Sequence, residues 1–396
     1  MAPTNAQTPF SSHRWIWQQA DWPQFNWDDK TLAIKLREVS QLQGRLLGKL
    51  DAVTDESSAS SELDALLQNI VQSSAIEGES LNVESVRSSL AKRLGVNDAG
   101  LSATTAQTEG LSKLLLDATK NHEQALTIDR LYQWHHYLFP EPAESEFRLE
   151  EICVGELRGE ETMQVVSGPI NKRVVHFEAP PKTANAANSV SVDLVEQLDT
   201  FLSWLENSRS DPSLDPILRA AQAHLWFITL HPFDDGNGRL ARAISDYALA
   251  QAEHQSIRFY AMAASIMDNR KGYYHILEST QKGDLTITQW MLWFLETLKH
   301  SLETALDRID FVLQKALFWQ IHSQDGLNRQ QTKVLNRLLD AGPKGFEGHL
   351  NAKKYMGIAG VAKATATRHL ADLLAKGCLI KLQDGGRSTR YEINWP

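Results

Sequence analysis

Apolar residues recur at helical spacing along most of this chain. Between residues 29 and 50, leucine and valine return every three or four positions, which predicts one long amphipathic helix. A serine-rich break at Ser57–Ser61 separates it from a second helix that ends near Gly78, and a helix over 127–139 opens on Thr127, a residue typical of helix caps. The other predicted helices in this part of the chain span 82–94, 187–206, 213–230, 239–252 and 285–316.

One stretch departs from the helical pattern. Between residues 150 and 181, several valines and Phe177 supply β-forming side chains, and Ser167-Gly168-Pro169 supplies a turn. This pattern predicts a short hairpin over 154–178. The body of the protein is therefore predicted to be mainly α-helical, a helical bundle with one small β-hairpin.

The pattern changes again after about residue 325, where three short helices and a second hairpin are predicted. A basic helix is the third of them, and Asp384-Gly385-Gly386-Arg387 is typical of a hairpin turn. This order of elements is that of a winged helix-turn-helix. The predicted helices span 332–340, 350–356 and 363–376, and the predicted strands span 378–382 and 390–393.

Charge is divided unevenly between this C-terminal part and the rest of the chain. Residues 329–396 hold 12 basic and five acidic residues, a net charge of +7, whereas the other residues carry −16 within an overall −9. A basic module on an acidic body indicates DNA as a partner for the module alone. A module that binds protein, or that only packs, is the alternative. The residues predicted to face DNA are Lys363, Arg368, Lys376, Arg387 and Arg390.

Aromatic residues crowd into positions 15–27. We expect an N-terminal arm whose rings anchor it on the body, with a ligand cage as the alternative. The chain then divides into an N-terminal helical region over 1–100, a core over 101–320 and the winged helix-turn-helix over 321–396. The aromatic residues of the arm are Trp15, Trp17, Trp22, Phe25 and Trp27.

The composition is that of a globular protein, with 42% apolar and 22% charged residues among 396. No stretch approaches the roughly 20 apolar residues of a membrane helix, and the first residues lack the features of a secretory signal. Two cysteines far apart, Cys153 and Cys378, argue against a disulfide framework or a cysteine-ligated metal and favour a reducing compartment. A cytoplasmic protein without a membrane partner is expected.

The most specific signal is one loop between two helical segments, written His231-Pro232-Phe233-Asp234-Asp235-Gly236-Asn237-Gly238-Arg239-Leu240-Ala241-Arg242. Its two glycines let the backbone turn tightly and expose N–H groups where a helix begins, which forms a cradle for an anion. The two arginines are three residues apart, so they share one helical face and suit phosphate oxygens.

Two further residues of the loop carry reactive groups. Asp235 offers the hard oxygen ligand that Mg²⁺ prefers, and His231 can accept a proton near neutral pH. An anion cradle, two cations, a metal ligand and a base in twelve residues indicate phosphoryl-type transfer, because each part has a role in that chemistry.

This loop resembles the signature of the Fic family, His-x-Phe-x-(Asp/Glu)-Gly-Asn-Gly-Arg-x-x-Arg, and every specified position is filled. The resemblance extends over roughly residues 60–300, and the Trp-rich N-terminus resembles an extension found in some bacterial Fic proteins. Fic proteins typically transfer AMP from ATP to a hydroxyl of a target protein and release pyrophosphate. The resemblance therefore implies a Fic-type helical bundle in which the hairpin is the flap that docks the target.

The resemblance also implies a role for each residue of the loop. His231 would deprotonate the target Tyr, Ser or Thr hydroxyl, which attacks the α-phosphorus, and Asp235 would hold Mg²⁺ between the α- and β-phosphates. Asn237, with the backbone N–H groups of Gly236 and Gly238, would stabilise the α-phosphate.

Arg239 and Arg242 would hold the β- and γ-phosphates in the same scheme. Tyr274 is a candidate contact for the adenosine, with ordinary helix packing as the alternative. Gly238 favours AMP transfer, because relatives that phosphorylate carry a bulkier residue at that position.

Upstream, Ser73-Ser74-Ala75-Ile76-Glu77-Gly78 fits the inhibitory pattern (Ser/Thr)-x-x-x-Glu-(Gly/Asn) of the same family. The resemblance implies that Glu77 pairs with Arg242 and takes the place of the γ-phosphate. An exposed acidic helix end is the alternative. The resemblance thus implies an autoinhibited adenylyltransferase that modifies a target protein, with self-modification as a further possibility.

Two other functions stay open on the sequence. One is a DNA-binding regulator with an ATP-sensing Fic core, and the other is transfer of a different phosphate-bearing group, such as UMP or phosphocholine. The intact His231 favours transfer, because a binding site alone needs no base. The oligomeric state is left open, with a homodimer among the alternatives.

Overall fold

The computed structural model describes residues 14–50, 55–96, 102–140, 152–183, 193–253, 259–341, 345–382 and 389–396. They form two compact units, drawn from Met1–Gly44 with Ser58–Leu302 and from Arg45–Ser57 with Glu303–Pro396. The architecture is mainly helical with small antiparallel strand pairs, as predicted. The division into three sequence regions stays a prediction. None of the described helices combines the length and apolar character that a membrane crossing requires.

The helices predicted before residue 320 are observed among the described residues, with three more that were not predicted, over 106–120, 262–268 and 270–281. Residues 187–192 of the helix predicted over 187–206 lie outside the described residues. The observed helices are α1 (Asp29–Leu50), α2 (Asp55–Ile76), α3 (Val83–Leu94), α4 (Ala106–Lys120), α5 (Ile128–Leu138), α6 (Leu194–Asn207), α7 (Pro216–Leu230), α8 (Asn237–Glu253), α9 (Met262–Asp268), α10 (Arg270–Gln281) and α11 (Thr288–Ile321).

The serine-rich run at Ser57–Ser61 is helical, so our prediction of a break before the second helix at these residues was wrong. The run lies inside α2, whose Leu63, Leu66 and Ile70 are almost completely buried. Serine has only a modest preference against helix, and the burial of an apolar face outweighs it.

Helices α7 and α8 form the centre of the first unit and pack against each other. Every residue of α7 from Ile217 to Leu230 is buried, and α8 is buried from Arg239 to Gln251. Trp290 adds a hydrogen bond from its indole N–H to the carbonyl oxygen of Ala221, at 2.8 Å. The loop between α7 and α8 is therefore anchored at both ends in the core.

The predicted hairpin is present as β1 (Gln164–Ser167) paired antiparallel with β2 (Val174–Glu178). Val154, which we placed in the hairpin, lies outside both strands. The N-terminal arm packs against this hairpin as expected for an anchored arm. Trp15 meets Phe177 edge to face at 5.4 Å, and the indole N–H of Trp17 donates to the carbonyl of Glu178 at 2.7 Å.

The second unit contains the predicted order of three helices and two strands around its own apolar core. The helix predicted over 350–356 ends later than expected, because it continues to Ala359 and is capped by Gly360, which has φ +66°. The turn Asp384–Arg387 lies outside the described residues. The elements are α12 (Arg329–Leu339), α13 (Ala352–Ala359), α14 (Lys363–Ala375) and the antiparallel strands β3 (Leu379–Lys381) and β4 (Tyr391–Ile393).

Cys378 lies in this core beside a histidine and an aspartate that sequence reasoning did not connect with it. Its Sγ is 3.5 Å from Nδ1 of His322, which is 2.6 Å from Oδ2 of Asp325. Burial raises the pKa of Cys378 to about 11, so the thiol is protonated at neutral pH. The cluster therefore has the form of a His–Asp pair packed against a neutral thiol.

Candidate active site

His231 begins the loop as the C-terminal cap of α7, directly after Leu230. It has a left-handed backbone (φ +49°), and its N–H still donates to the carbonyl of Phe227 at 3.1 Å. Arg158 holds this turn from the other side, because its Nε donates to the carbonyl of His231 at 2.8 Å and its backbone N–H to that of Pro232 at 3.0 Å. Burial lowers the pKa of Arg158 to about 10. Arg158 fixes the loop, and no sequence pattern marked it.

His135, from α5, is a second residue that sequence reasoning missed. Its ring stacks on Phe233 at 4.2 Å, and its Nδ1 accepts a hydrogen bond from the N–H of Gly155 at 2.9 Å. Burial lowers the pKa of His135 to about 4, so the ring is neutral at pH 7. The proton then resides on Nε2, which donates to the carbonyl of Asp235 at 3.2 Å.

Asn237 closes the loop on itself. Its Oδ1 accepts from the N–H of Phe233 at 3.0 Å and its Nδ2 donates to the carbonyl of the same residue at 2.8 Å. Because the side chain is buried and bonded in both directions, Asn237 fixes the shape of the cradle. Its contact with an α-phosphate stays a prediction.

The ring of His231 is arranged to accept a proton. Nδ1 lies 3.2 Å from the carbonyl oxygen of Ile228, which can only accept, so Nδ1 carries the hydrogen and Nε2 keeps a lone pair. Burial lowers the pKa of His231 to about 4, and the charge of Arg158 acts in the same direction. The imidazole is consequently neutral at pH 7.

Asp235 and Gly236 form the outer edge of the cradle. Oδ1 of Asp235 accepts from the N–H of Gly236 at 2.5 Å, Oδ2 is 3.8 Å from Nη2 of Arg239, and the side chain is 57% exposed. An accessible carboxylate beside a phosphate cradle fits Mg²⁺, which commonly takes one or two carboxylates with substrate oxygens and waters. Gly236 has φ +80°, and a Cβ there would lie 2.9 Å from the ring of Phe139.

Arg242 is buried and bonded to the end of α2. Its Nε donates to Oγ of Ser73 at 2.8 Å, and its Nη2 to the Ser73 carbonyl at 2.9 Å and to Oε1 of Glu77 at 2.7 Å. Burial acts to raise the pKa of Glu77, but Arg242 outweighs it and the pKa stays below its ordinary value. Glu77 and Arg242 thus meet as an ion pair, the contact that the sequence pattern predicted.

Arg239 is paired as well, with a residue that no pattern indicated. Its Nη1 donates to both carboxylate oxygens of Glu79, at 2.7 and 2.8 Å. The guanidinium is only 4% exposed and lies over the ring of Phe139, with Cζ 5.0 Å from the ring centre.

Tyr274 and Gly238 contact Glu77 from two sides. The hydroxyl of Tyr274 donates to the carbonyl of Ile76 at 3.1 Å and reaches Oε2 of Glu77 at 3.4 Å. A Cβ at position 238 would collide with Oε1 of Glu77, so only glycine leaves space for the carboxylate. The structure thus joins Tyr274 to the end of α2, and its contact with adenosine stays a prediction.

Part of the site lines one cleft of about 720 Å³, bounded by the loop, α10 and the β1–β2 hairpin. His231, Asp235 and Gly238 lie on one wall, Glu77 and Tyr274 on another, and Val166 and Ser167 belong to the hairpin. The hairpin is tied to α10 through His176, whose Nδ1 is 2.9 Å from Oε2 of Glu278. A base, a helix N-terminus and Glu77, the partner of Arg242, therefore border one space, whereas neither Arg239 nor Arg242 is among the residues that line it.

Comparison with known proteins agrees with this geometry. A model of the Fic/DOC family matches residues 125–249, and a domain of unknown function (DUF4172) matches residues 15–96. The chain is 27% identical over 260 residues to the protein adenylyltransferase Fic of Drosophila persimilis, covering 62% of this chain and 44% of that protein. The corresponding protein of Drosophila ananassae is 26% identical over 62% of this chain and 45% of its own. The chain thus spans less than half the length of these curated relatives.

A solved structure has the same fold. The Fic family protein from Desulfovibrio desulfuricans G20 matches 92% of this chain and 95% of its own, with a TM-score of 0.50 and 17% identity. At this identity the likeness concerns the fold alone. The match to the Fic/DOC family model spans residues 125–249, and these include the whole loop from His231 to Arg242.

Proposed function

We propose that this protein transfers AMP from ATP to a hydroxyl side chain of a target protein and releases pyrophosphate. One observation carries the proposal: a neutral His231, with its Nε2 lone pair free of the Ile228 contact, lines a cleft beside the N-terminus of α8. A base next to an anion cradle suits attack by a hydroxyl on a phosphate. The naming of the curated relatives as protein adenylyltransferases supports the same chemistry.

In this mechanism the Nε2 of His231 takes the hydroxyl proton as the oxygen bonds to the α-phosphorus. The bond from the α-phosphorus to the bridging oxygen breaks, and pyrophosphate leaves. Backbone N–H groups at Gly238 and the start of α8 stabilise the charge that develops on the α-phosphate. Mg²⁺, when bound, neutralises phosphate charge, and Asp235 is the residue that would hold it.

Autoinhibition belongs to the same proposal. Arg242 is expected to bind the γ-phosphate, but its Nη2 is already bonded to Glu77. A phosphate oxygen and a carboxylate compete for the same donor, so ATP can be held with its α-phosphorus turned from the base. Activity then requires the end of α2 to move or Glu77 to be replaced.

The target would bind along the hairpin. Val165 and Val174 are exposed on the two strands, and an extended segment can add to a strand through backbone hydrogen bonds. Such docking would bring a Tyr, Ser or Thr of the target to His231. A residue of this chain could take the same place in self-modification.

The proposal is tested with ATP labelled at the α-phosphate, using wild type, Glu77→Gly and Glu77→Gly/His231→Ala. Label should enter protein in the Glu77→Gly variant and be lost when His231 is also replaced. Parallel reactions with labelled UTP, GTP and CDP-choline separate AMP transfer from transfer of another group. Label from one of those donors, and none from ATP, would refute AMP as the transferred group.

The second unit supports a second candidate function, binding of DNA. Lys363 and Arg368 are exposed on α14, whereas Lys376 is paired with Asp372 at 2.7 Å and Arg387 lies outside the described residues. Phosphate contacts weaken steeply as salt rises. A mobility-shift assay with full-length protein at several salt concentrations is the test, and absence of binding at low salt would reject this function.

A further inference from the structure

The segment that follows α2 presents two carboxylates to the loop from one turn. The backbone N–H groups of Glu77 and Glu79 both donate to the carbonyl of Ser74, at 3.1 and 3.0 Å. The two side chains then part, and Glu77 reaches Arg242 while Glu79 reaches Arg239. The inhibitory pattern accounts for Glu77 only.

The ion pair of Glu79 with Arg239 has at least as many short hydrogen bonds as that of Glu77 with Arg242. Both oxygens of Glu79 lie within 2.8 Å of Nη1, whereas Glu77 meets its arginine through one oxygen. Arg239 is held in place by the ring of Phe139, so Glu79 comes to a cation that is already positioned. Asp235, at 3.8 Å, is the neighbouring acid of the same guanidinium.

The charges explain why the second pair matters. Arg239 and Arg242 are the two cations that the loop offers to a triphosphate, and each now faces a glutamate. If Glu77 alone were paired, Arg239 would remain as a full positive charge for an incoming phosphate. With both paired, a triphosphate meets two carboxylates at the positions where its own oxygens should bind.

We propose that Glu79 sets the affinity of the site for a nucleoside triphosphate by competing with a phosphate group for Arg239. Glu77 controls the alignment of the bound nucleotide, and Glu79 controls how tightly it binds. The inference rests on the proposed function for the identity of the ligand. It adds a residue outside the inhibitory pattern, and it assigns a separate measurable effect to each glutamate.

The direct test measures binding of α,β-methylene-ATP, which cannot release pyrophosphate, by calorimetry. Glu79→Gln keeps the shape of the side chain and removes its charge. Because Glu79 is 34% exposed, we expect the variant to bind about five- to tenfold more tightly, at the strong end of a partly exposed ion pair. Glu84→Gln is the matched control, since Glu84 is an exposed carboxylate at the start of α3, and its affinity should equal that of wild type.

Kinetics in the Glu77→Gly background give the second readout. Adding Glu79→Gln should lower the KM for ATP and leave kcat unchanged. In the proposed competition the Glu79–Arg239 pair is broken both when ATP is bound and in the transition state, so its removal favours the two states equally. Thermal melts of each variant establish that it folds. Unchanged affinity would overturn the inference, and weaker affinity would show that Glu79 positions Arg239 for the nucleotide.

The two proposals can fail separately. If Glu79→Gln tightens nucleotide binding and no variant transfers AMP, the affinity role stands and the proposed reaction is wrong. If the Glu77→Gly variant transfers AMP while Glu79→Gln alters neither affinity nor KM, the reaction stands and the role of Glu79 is wrong.

Discussion

Replacing Glu77 with glycine should release AMP transfer. The change removes one carboxylate from Nη2 of Arg242, while the bonds from that arginine to Oγ and the carbonyl of Ser73 remain. Arg242 therefore stays in position, and its guanidinium gains a free donor for a phosphate oxygen. The loop itself keeps every bond made by Asn237 and His135, so the base and the cradle are undisturbed.

The magnitude follows from the ion pair. The guanidinium is 4% exposed and the carboxylate 30%, and the N–O distance is 2.7 Å. A hydrogen bond between charged groups contributes about 1.5–3 kcal/mol, and each 1.4 kcal/mol is roughly a factor of ten in an equilibrium. Arg242 should thus be available to the γ-phosphate roughly 10 to 100 times more often. Transfer should rise by a similar factor if alignment of the nucleotide limits the rate.

The assay measures incorporation of AMP from α-labelled ATP at equal protein concentrations. It compares wild type, Glu77→Gly, and Glu77→Gly/Arg242→Ala, with Glu84→Gly as the control for loss of a distant carboxylate. The double variant should lose the gain, because the released partner is then missing. Equal incorporation by wild type and Glu77→Gly would refute the competition for Arg242. Residues 73–78 would then be the end of a helix with no inhibitory role.

Three further predictions concern the residues around this contact, and all are measured as AMP incorporation, the first two in the Glu77→Gly background. His231→Ala should lower transfer by about 10²–10⁴-fold while ATP binding is retained. With His231 intact, transfer should persist to pH 5, because the pKa of His231 is about 4 and the base is lost only as the pH falls through that value. A loss of transfer on the acidic side with a midpoint near pH 6.5 would contradict this. Asp235→Ala should abolish the dependence on Mg²⁺ concentration, and a normal Mg²⁺ titration would remove Asp235 as the ligand. Tyr274→Phe, made in wild type, should raise transfer roughly fivefold, because it removes a hydrogen bond of about 1 kcal/mol to the end of α2. The same change in the Glu77→Gly background should raise transfer much less. Reduced transfer in both backgrounds would instead indicate that Tyr274 contacts the nucleotide.

Sequence reasoning reached the parts of the site that are contiguous in the chain. The loop from His231 to Arg242 is a single motif, and its position between two apolar helices predicts an anchored turn. The pairing of Glu77 with Arg242 was implied by the resemblance of a second short pattern to the inhibitory motif of the Fic family. Each of these signals lies within about a dozen residues, where identity and spacing alone restrict the chemistry.

The residues that were missed act across long stretches of chain. His135 supports a carbonyl 100 positions away, Arg158 one 73 positions away, and Glu79 an arginine 160 positions away. None belongs to a local pattern, because a buried histidine or arginine on a helix or loop has the same sequence surroundings whether or not it meets the site. Only the packing against the loop of α5, of the segment between α5 and β1 that holds Arg158, and of the end of α2 reveals them.

The same limit explains the error at Ser57–Ser61. Serine is common in turns because its side chain competes for backbone hydrogen bonds, which made a break reasonable. The helix continues because Leu63, Leu66 and Ile70 must remain on one face to bury against the core. Burial is a property of the folded chain, so a local preference could not have indicated it.

Gly238 connects the proposed inhibition to the proposed transfer. Its missing side chain leaves the space that Oε1 of Glu77 fills, and the same space borders Nη1 of Arg242, 3.3 Å from where a Cβ would lie. A larger residue would displace the glutamate and also narrow the place expected for phosphate, so a substitution there alters both. The carboxylates of Glu77 and Glu79 bind the ends of Arg242 and Arg239. In the proposed mechanism, inhibition can therefore be removed at these two positions without changing the backbone N–H groups, the base or the arginines of the loop.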